Sequence, residues 1–130
     1  MEHKAIQCGS YVHYLGWINA EQKDKYLKEC NVFVLPTYFE GLPMSLLEGM
    51  AYECACVASE VGGIPQVMTS GKDGILVPAK EVESLKEALK KILEDPLLQR
   101  ELGRNARKTV EEDYDINKSV QKLLQVYQSI

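Results

Sequence analysis

Short β-rich apolar runs alternate along this chain with stretches whose apolar residues recur at helical spacing, the pattern of strands exchanged with amphipathic helices. Val32-Phe33-Val34-Leu35 ends at Pro36 and reads as a buried strand. Cys54-Ala55-Cys56-Val57-Ala58 is a small-residue strand candidate, Ile75-Leu76-Val77 a short strand stopped by Pro78, and residues 11–15 a further strand candidate. Between them a helix is predicted from residue 20 to about 30, with Asn19 as N-cap, Gln22 completing a capping box, and Tyr26, Leu27 and Cys30 facing inward. A second helix is predicted from Pro43, as its first residue, to about Tyr52, with Met44, Leu47, Met50 and Ala51 on one face. A helical turn is placed at 66–70. From Glu81 the periodicity is helical to the end: Leu85, Leu89, Ile92 and Leu93 form one stripe, and Asp95-Pro96 breaks it. Leu97, Leu98, Leu102, Ala106 and Val110 form the next, and residues 117–130 a third helix. Alternation of this kind predicts an α/β fold with a doubly wound, mainly parallel sheet of about four strands, whose ligands bind at the carboxyl ends of the strands.

Composition narrows the class. At 130 residues, 45% hydrophobic and 26% charged, the chain has room for one domain with a modest core. A formal net charge of −4 argues against a nucleic-acid footprint. No apolar run approaches a membrane span and no signal-peptide core follows Met1, so a cytoplasmic location is expected. Cys8, Cys30, Cys54 and Cys56 follow neither a zinc spacing nor a disulfide framework and read as reduced, mostly buried thiols.

Candidate chemistry concentrates after the first apolar run. Glu40-Gly41-Leu42-Pro43-Met44-Ser45-Leu46-Leu47-Glu48 forms a tight loop that opens a helix, and unpaired N–H groups at such a start attract anions. The N–H groups of Gly41, Leu42, Met44 and Ser45 are therefore candidate diphosphate ligands, with Pro43 contributing none. Glu40 and Glu48 bracket the site at a separation of about 10 Å along the helix rise. Glu48 suits ribose hydroxyls and Glu40 a sugar. Gly62-Gly63, in Val61-Gly62-Gly63-Ile64-Pro65, could bring backbone N–H groups close to a phosphate or sugar. No G-x-G-x-x-G follows a strand, which argues against a nicotinamide oxidoreductase.

Glu40 and Glu48 in E-G-L-P-M-S-L-L-E, followed by Val61-Gly62-Gly63-Ile64-Pro65, resemble the E-x7-E signature of the retaining group-1 (family-four) glycosyltransferases. The resemblance covers nearly the whole chain: residues 12–16 resemble that family's third strand, 31–36 its fourth, 74–78 its sixth. It implies the C-terminal, donor-binding half of a GT-B fold, truncated on its N-terminal side, as one partial domain over 1–130 with 117–130 as the crossing helix. It further implies a nucleotide-sugar donor, transfer with retention, Glu40 as the catalytic and sugar-positioning carboxylate, Glu48 on the ribose, no metal and no cofactor. The acceptor domain is expected to be missing and the isolated chain inactive. The parent enzyme would act in polysaccharide or glycolipid assembly, peripheral at the cytoplasmic face of a membrane. An unpaired sheet edge or the Val120–Ile130 stripe predicts self-association. The alternatives are a non-catalytic nucleotide-sugar-binding scaffold and a nucleotide-sugar epimerase of the same fold. Three departures from the family pattern stand out: Glu53 replaces a helix-ending glycine, Ala55 a proline and Gln66 a glutamate.

Overall fold

The structure, a computed structural model, describes residues 9–41, 43–114, 120, 124–126 and 128–129. A 3₁₀ turn at Gly9–Tyr11 precedes α1 (Ala20–Glu29), β1 (Val32–Leu35), α2 (Met44–Ala51), β2 (Ala55–Ser59), α3 (Ile64–Val67), β3 (Ile75–Val77), α4 (Val82–Glu94) and α5 (Pro96–Asp113). All strand pairings are parallel and the order is β1-β2-β3, with Val34 opposite Val57 and Val57 opposite Ile75. Helices cover both faces of β2. Cys54, Cys56 and Ala58 point into one cluster with Leu46 and Met50 of α2, Ile64 of α3 and Ala106 of α5. Ala55 and Val57 point into the other, with Val77, Ala88 and Ile92 of α4 and Leu102 of α5. This is the Rossmann-like, doubly wound arrangement expected, with alternate residues of one strand feeding two cores.

The local chemistry accounts for most boundaries. Asn19 caps α1 through a capping box: its side chain accepts from the Gln22 amide at 2.8 Å, and the Gln22 side chain accepts from the Asn19 amide at 3.0 Å. Asp95 accepts from the Leu98 amide at 3.1 Å, and Pro96 opens α5. Buried Asp73 ties the turn before β3 to α5, accepting from the Thr69 amide and the Thr109 hydroxyl, both at 2.7 Å. Glu53, the helix-ending residue, adopts φ +62°, the left-handed conformation that favours glycine. A Cβ at Gly103 would lie 2.2 Å from the Glu53 carbonyl oxygen, so glycine there lets α5 seat directly on this backbone.

Several expectations are corrected. Among the described residues the sheet has three strands rather than about four, because residues 11–15 form no strand: Tyr11 ends the 3₁₀ turn, residues 12–15 are exposed, with Tyr14 at 52%, and no described strand lies alongside to take up their hydrogen bonds. Pro43 is the N-cap of α2 rather than its first residue. The inward face of α2 is Leu46, Gly49 and Met50, while Met44 is 58% exposed. Gly49 sets that rotation, since a Cβ there would come within 2.7 Å of the Phe33 ring. Tyr26, Leu93 and Leu97 are likewise exposed rather than core. The turn placed at 66–70 occurs at Ile64–Val67, started by Pro65 in its first turn. The helix expected over 117–130 falls partly outside the described residues; positions 120, 124–126 and 128–129 are helical. Among the described residues no helix is long and apolar enough to cross a membrane.

Candidate functional site

The site lies where β1 ends. Thr37 shapes the exit loop, its hydroxyl donating to the Phe39 carbonyl at 2.9 Å. The chain then passes half-buried Glu40 and exposed Gly41 into α2. Pro43 offers no side-chain cap, so the amides of Met44 and Ser45 lack a partner among the described residues, while Leu47 bonds back to the Pro43 carbonyl at 3.1 Å. An uncapped helix start at the carboxyl end of a parallel strand is a ready anion site. Leu42 lies outside the described residues.

The two glycines act first on the protein itself. Gly62 has φ +55°, and a Cβ on it would stand 1.6 Å from the Glu40 carbonyl oxygen. A Cβ on Gly63 would meet the Gly41 carbonyl oxygen at 2.3 Å, and the Gly63 amide donates to the Glu40 carbonyl at 3.3 Å. The loop after β2 is thus pressed backbone to backbone against the loop after β1. Only hydrogen side chains permit that approach, and it fixes where Glu40 and Gly41 sit. The Gly63 amide is already engaged in this contact.

Glu48 is held by a residue that pattern reading missed. Lys23 Nζ of α1 lies 2.9 Å from a Glu48 carboxylate oxygen, both side chains partly exposed. Lys23 is one turn before Leu27, the buried anchor of α1, so i,i+4 spacing put it on the face turned toward α2. Nothing in the sequence pairs it with Glu48. Beside it the Tyr52 hydroxyl donates to Asp24, which also pairs with Lys28 at 2.8 Å. The Lys28 bond and then the Tyr52 bond hold the Asp24 carboxyl below its usual range, and the same contact raises the Tyr52 phenol. These polar contacts join α1 to the helix that carries Glu48.

Under this layer lie the thiols. Cys54 and Cys56 are buried and Cys30 half-buried, all three free. Hydrogen bonding with Cys54 brings the Cys30 thiol down to about 7 and pushes the Cys54 thiol up, while burial raises Cys56 to about 12. No cluster of three or more metal-ligating side chains occurs among the described residues.

Comparison with known proteins accords with this geometry. The model of the family described as glycosyl transferases group 1 matches residues 2–109. The N,N'-diacetylbacillosaminyl-diphospho-undecaprenol alpha-1,3-N-acetylgalactosaminyltransferase of Campylobacter jejuni is 35% identical over 121 residues, covering 92% of this chain and 31% of that protein. Sucrose-phosphate synthase of Thermosynechococcus elongatus superposes with a TM-score of 0.85 at 30% identity, covering 98% of this chain and 34% of that one. An Anabaena protein, HepE, in complex with UDP-glucose superposes with a TM-score of 0.84 over 99% of this chain and 36% of its own; at 20% identity that likeness is one of fold. The chain therefore spans about a third of the length of these relatives.

Proposed function

We propose, from the premise that this chain belongs to the glycosyl transferases group 1 family, that it is the donor-binding domain of a retaining glycosyltransferase. The observation that carries the reading is the uncapped start of α2, with Glu40 in the loop that leads into it and locked there by Gly62-Gly63, and Glu48 a little over one turn inside the helix. A nucleoside diphosphate sugar has the matching order of groups: sugar hydroxyls, diphosphate, ribose hydroxyls. Glu40 positions the transferred sugar as the catalytic carboxylate. The amides of Gly41, Leu42, Met44 and Ser45 face the diphosphate, and Glu48 accepts from the ribose. Gly62 and Gly63 complete the site by holding the Glu40 loop.

The chemistry is leaving-group stabilisation. As the bond from sugar to diphosphate breaks, negative charge grows on the phosphate oxygens, and preoriented N–H groups at a helix start stabilise it without reorganising. This needs neither metal nor cofactor. The other half of the parent enzyme would bring the acceptor, so the isolated chain is expected to bind donor without turning it over. The complex of HepE with UDP-glucose and the lipid-linked acceptor in the name of the Campylobacter relative support a nucleotide-sugar donor and work at a membrane surface.

Calorimetric titration with UDP, GDP and ADP tests the reading. One diphosphate is expected to bind, and Glu48→Ala to weaken it by about 1–3 kcal/mol, the scale of hydrogen bonds to a charged group. Lack of binding by all three, or equal binding by the variant, would overturn it.

A further inference from the structure

A second concavity lies at the same end of the sheet and uses none of Glu40, Glu48, Gly62 or Gly63. It measures about 200 Å³ and is bounded by the residues that end all three strands: Pro36 after β1, Ser59 closing β2 and Val77 closing β3. The loop from β3 to α4 lines it with Pro78 and Lys80, and the first turn of α4 with Val82 and Leu85.

Four features point into this space. Ser59 is only 3% exposed, and its hydroxyl has no hydrogen-bond partner among the described residues; since no buried side-chain oxygen there is sealed off unpaired, that hydroxyl opens onto the cavity. Lys80 is held at φ +66°, a strained conformation for a residue with a side chain, and its ammonium stands 5.6 Å from the centre of the Tyr38 ring. The start of α4 is uncapped: the Glu81 carboxylate accepts from the Ser84 hydroxyl at 2.7 Å instead of from a helix amide. That leaves the first amides of a thirteen-residue helix without a side-chain partner. Tyr38 and the two prolines add an apolar wall.

We propose that this cavity binds a phosphorylated monosaccharide. Lys80 and the α4 amides take the phosphate, as a cation and a helix start together do. The Ser59 hydroxyl meets a ring hydroxyl, and Tyr38 packs against the ring. The volume suits such a ligand: about 200 Å³ equals roughly seven waters at about 30 Å³ each, room for one sugar phosphate. Glu81 is the one acidic side chain on the wall, and its bond to Ser84 occupies one carboxylate oxygen. The proposal stands whether or not the chain takes a nucleotide sugar.

Amide NMR of the 130-residue chain with glucose 1-phosphate, glucose and inorganic phosphate tests it. Glucose 1-phosphate is expected to shift the amides of Tyr38, Ser59, Lys80 and Val82 and to bind more tightly than either fragment. Lys80→Gly, which relieves the backbone strain and so folds at least as well, should weaken it roughly tenfold, the scale of one lost charge-assisted hydrogen bond. Lys80→Arg should retain binding, and Ser59→Ala should narrow the margin over inorganic phosphate. No shift at these four amides, or binding indifferent to Lys80→Gly, overturns the proposal. UDP titrated in parallel reads the amides of Gly41 and Ser45, so the donor reading succeeds or fails separately.

Discussion

β1 and β2 make an instructive pair. Val32-Phe33-Val34-Leu35 is the more hydrophobic run, yet every one of its residues is only half-buried; Ala55-Cys56-Val57-Ala58-Ser59 is built of small residues and is wholly buried. The difference lies in their neighbours. β2 pairs on both sides and is sandwiched between α2, α3 and α5 on one face and α4 with Leu102 of α5 on the other, whereas among the described residues β1 pairs with β2 alone. Burial in a sheet follows the number of covering elements more than the apolar character of the strand. The same lesson applies further out. Tyr11 opens the stretch expected as another strand and Trp17 follows it, and with no partner strand among the described residues they are 94% and 103% exposed.

Matched truncations give the strongest test of this contrast. Leu46→Ala removes a fully buried side chain beneath the central strand and is expected to cost about 3 kcal/mol in urea unfolding, whereas Leu35→Ala at the edge should cost less than half of that. Equal costs would mean that the edge is covered in solution, by self-association or another partner, and sedimentation would then show a larger species.

Next in size is Glu53→Gly at the turn between α2 and β2. Because Glu53 is held at φ +62°, glycine should stabilise the chain by about 1 kcal/mol, seen as a higher melting temperature. A loss of stability would mean that the side chain makes contacts outweighing the backbone strain.

Cys30 lies on the seam between α1 and the central strand, and its thiol gives a pH signature. Its value is lowered from 9.0 to about 7 in the folded chain. The stability it contributes is thus present above the unfolded value and is lost as pH falls through about 7. The margin of the native chain over Cys30→Ala should shrink from pH 9 toward pH 7, and iodoacetamide should label Cys30 with a midpoint near 7. A labelling midpoint near 9 would show that the bond with Cys54 does not form.

The smallest effect is expected at the uncovered extreme. Leu15→Ser, at a position 45% exposed, should change stability by no more than about 0.5 kcal/mol. A larger cost would show that residues 12–15 pack against something in solution.

Much was legible in the sequence because it rests on local rules. The capping box at Asn19 and Gln22, the stops at Pro36 and Pro78 and the break at Asp95-Pro96 each follow from one residue type meeting one backbone requirement, whereas the left-handed position at Glu53 showed only through the family resemblance. The loop from Glu40 into α2 and the doubly wound class were legible for the same reason: turn chemistry and periodicity are encoded within a few residues of where they act. Tertiary structure alone decided the rest, because it turns on residues far apart in the chain. Whether residues 12–15 become a strand depends on a neighbour to pair with, and which face of α2 turns inward depends on Gly49 meeting Phe33. The Gly62-Gly63 contact with Glu40 and Gly41, the Lys23–Glu48 ion pair and the pocket between Ser59 and Lys80 each join groups that no spacing rule connects. Local propensity chose the elements of this protein, and the packing of parallel strands side by side brought its chemistry together.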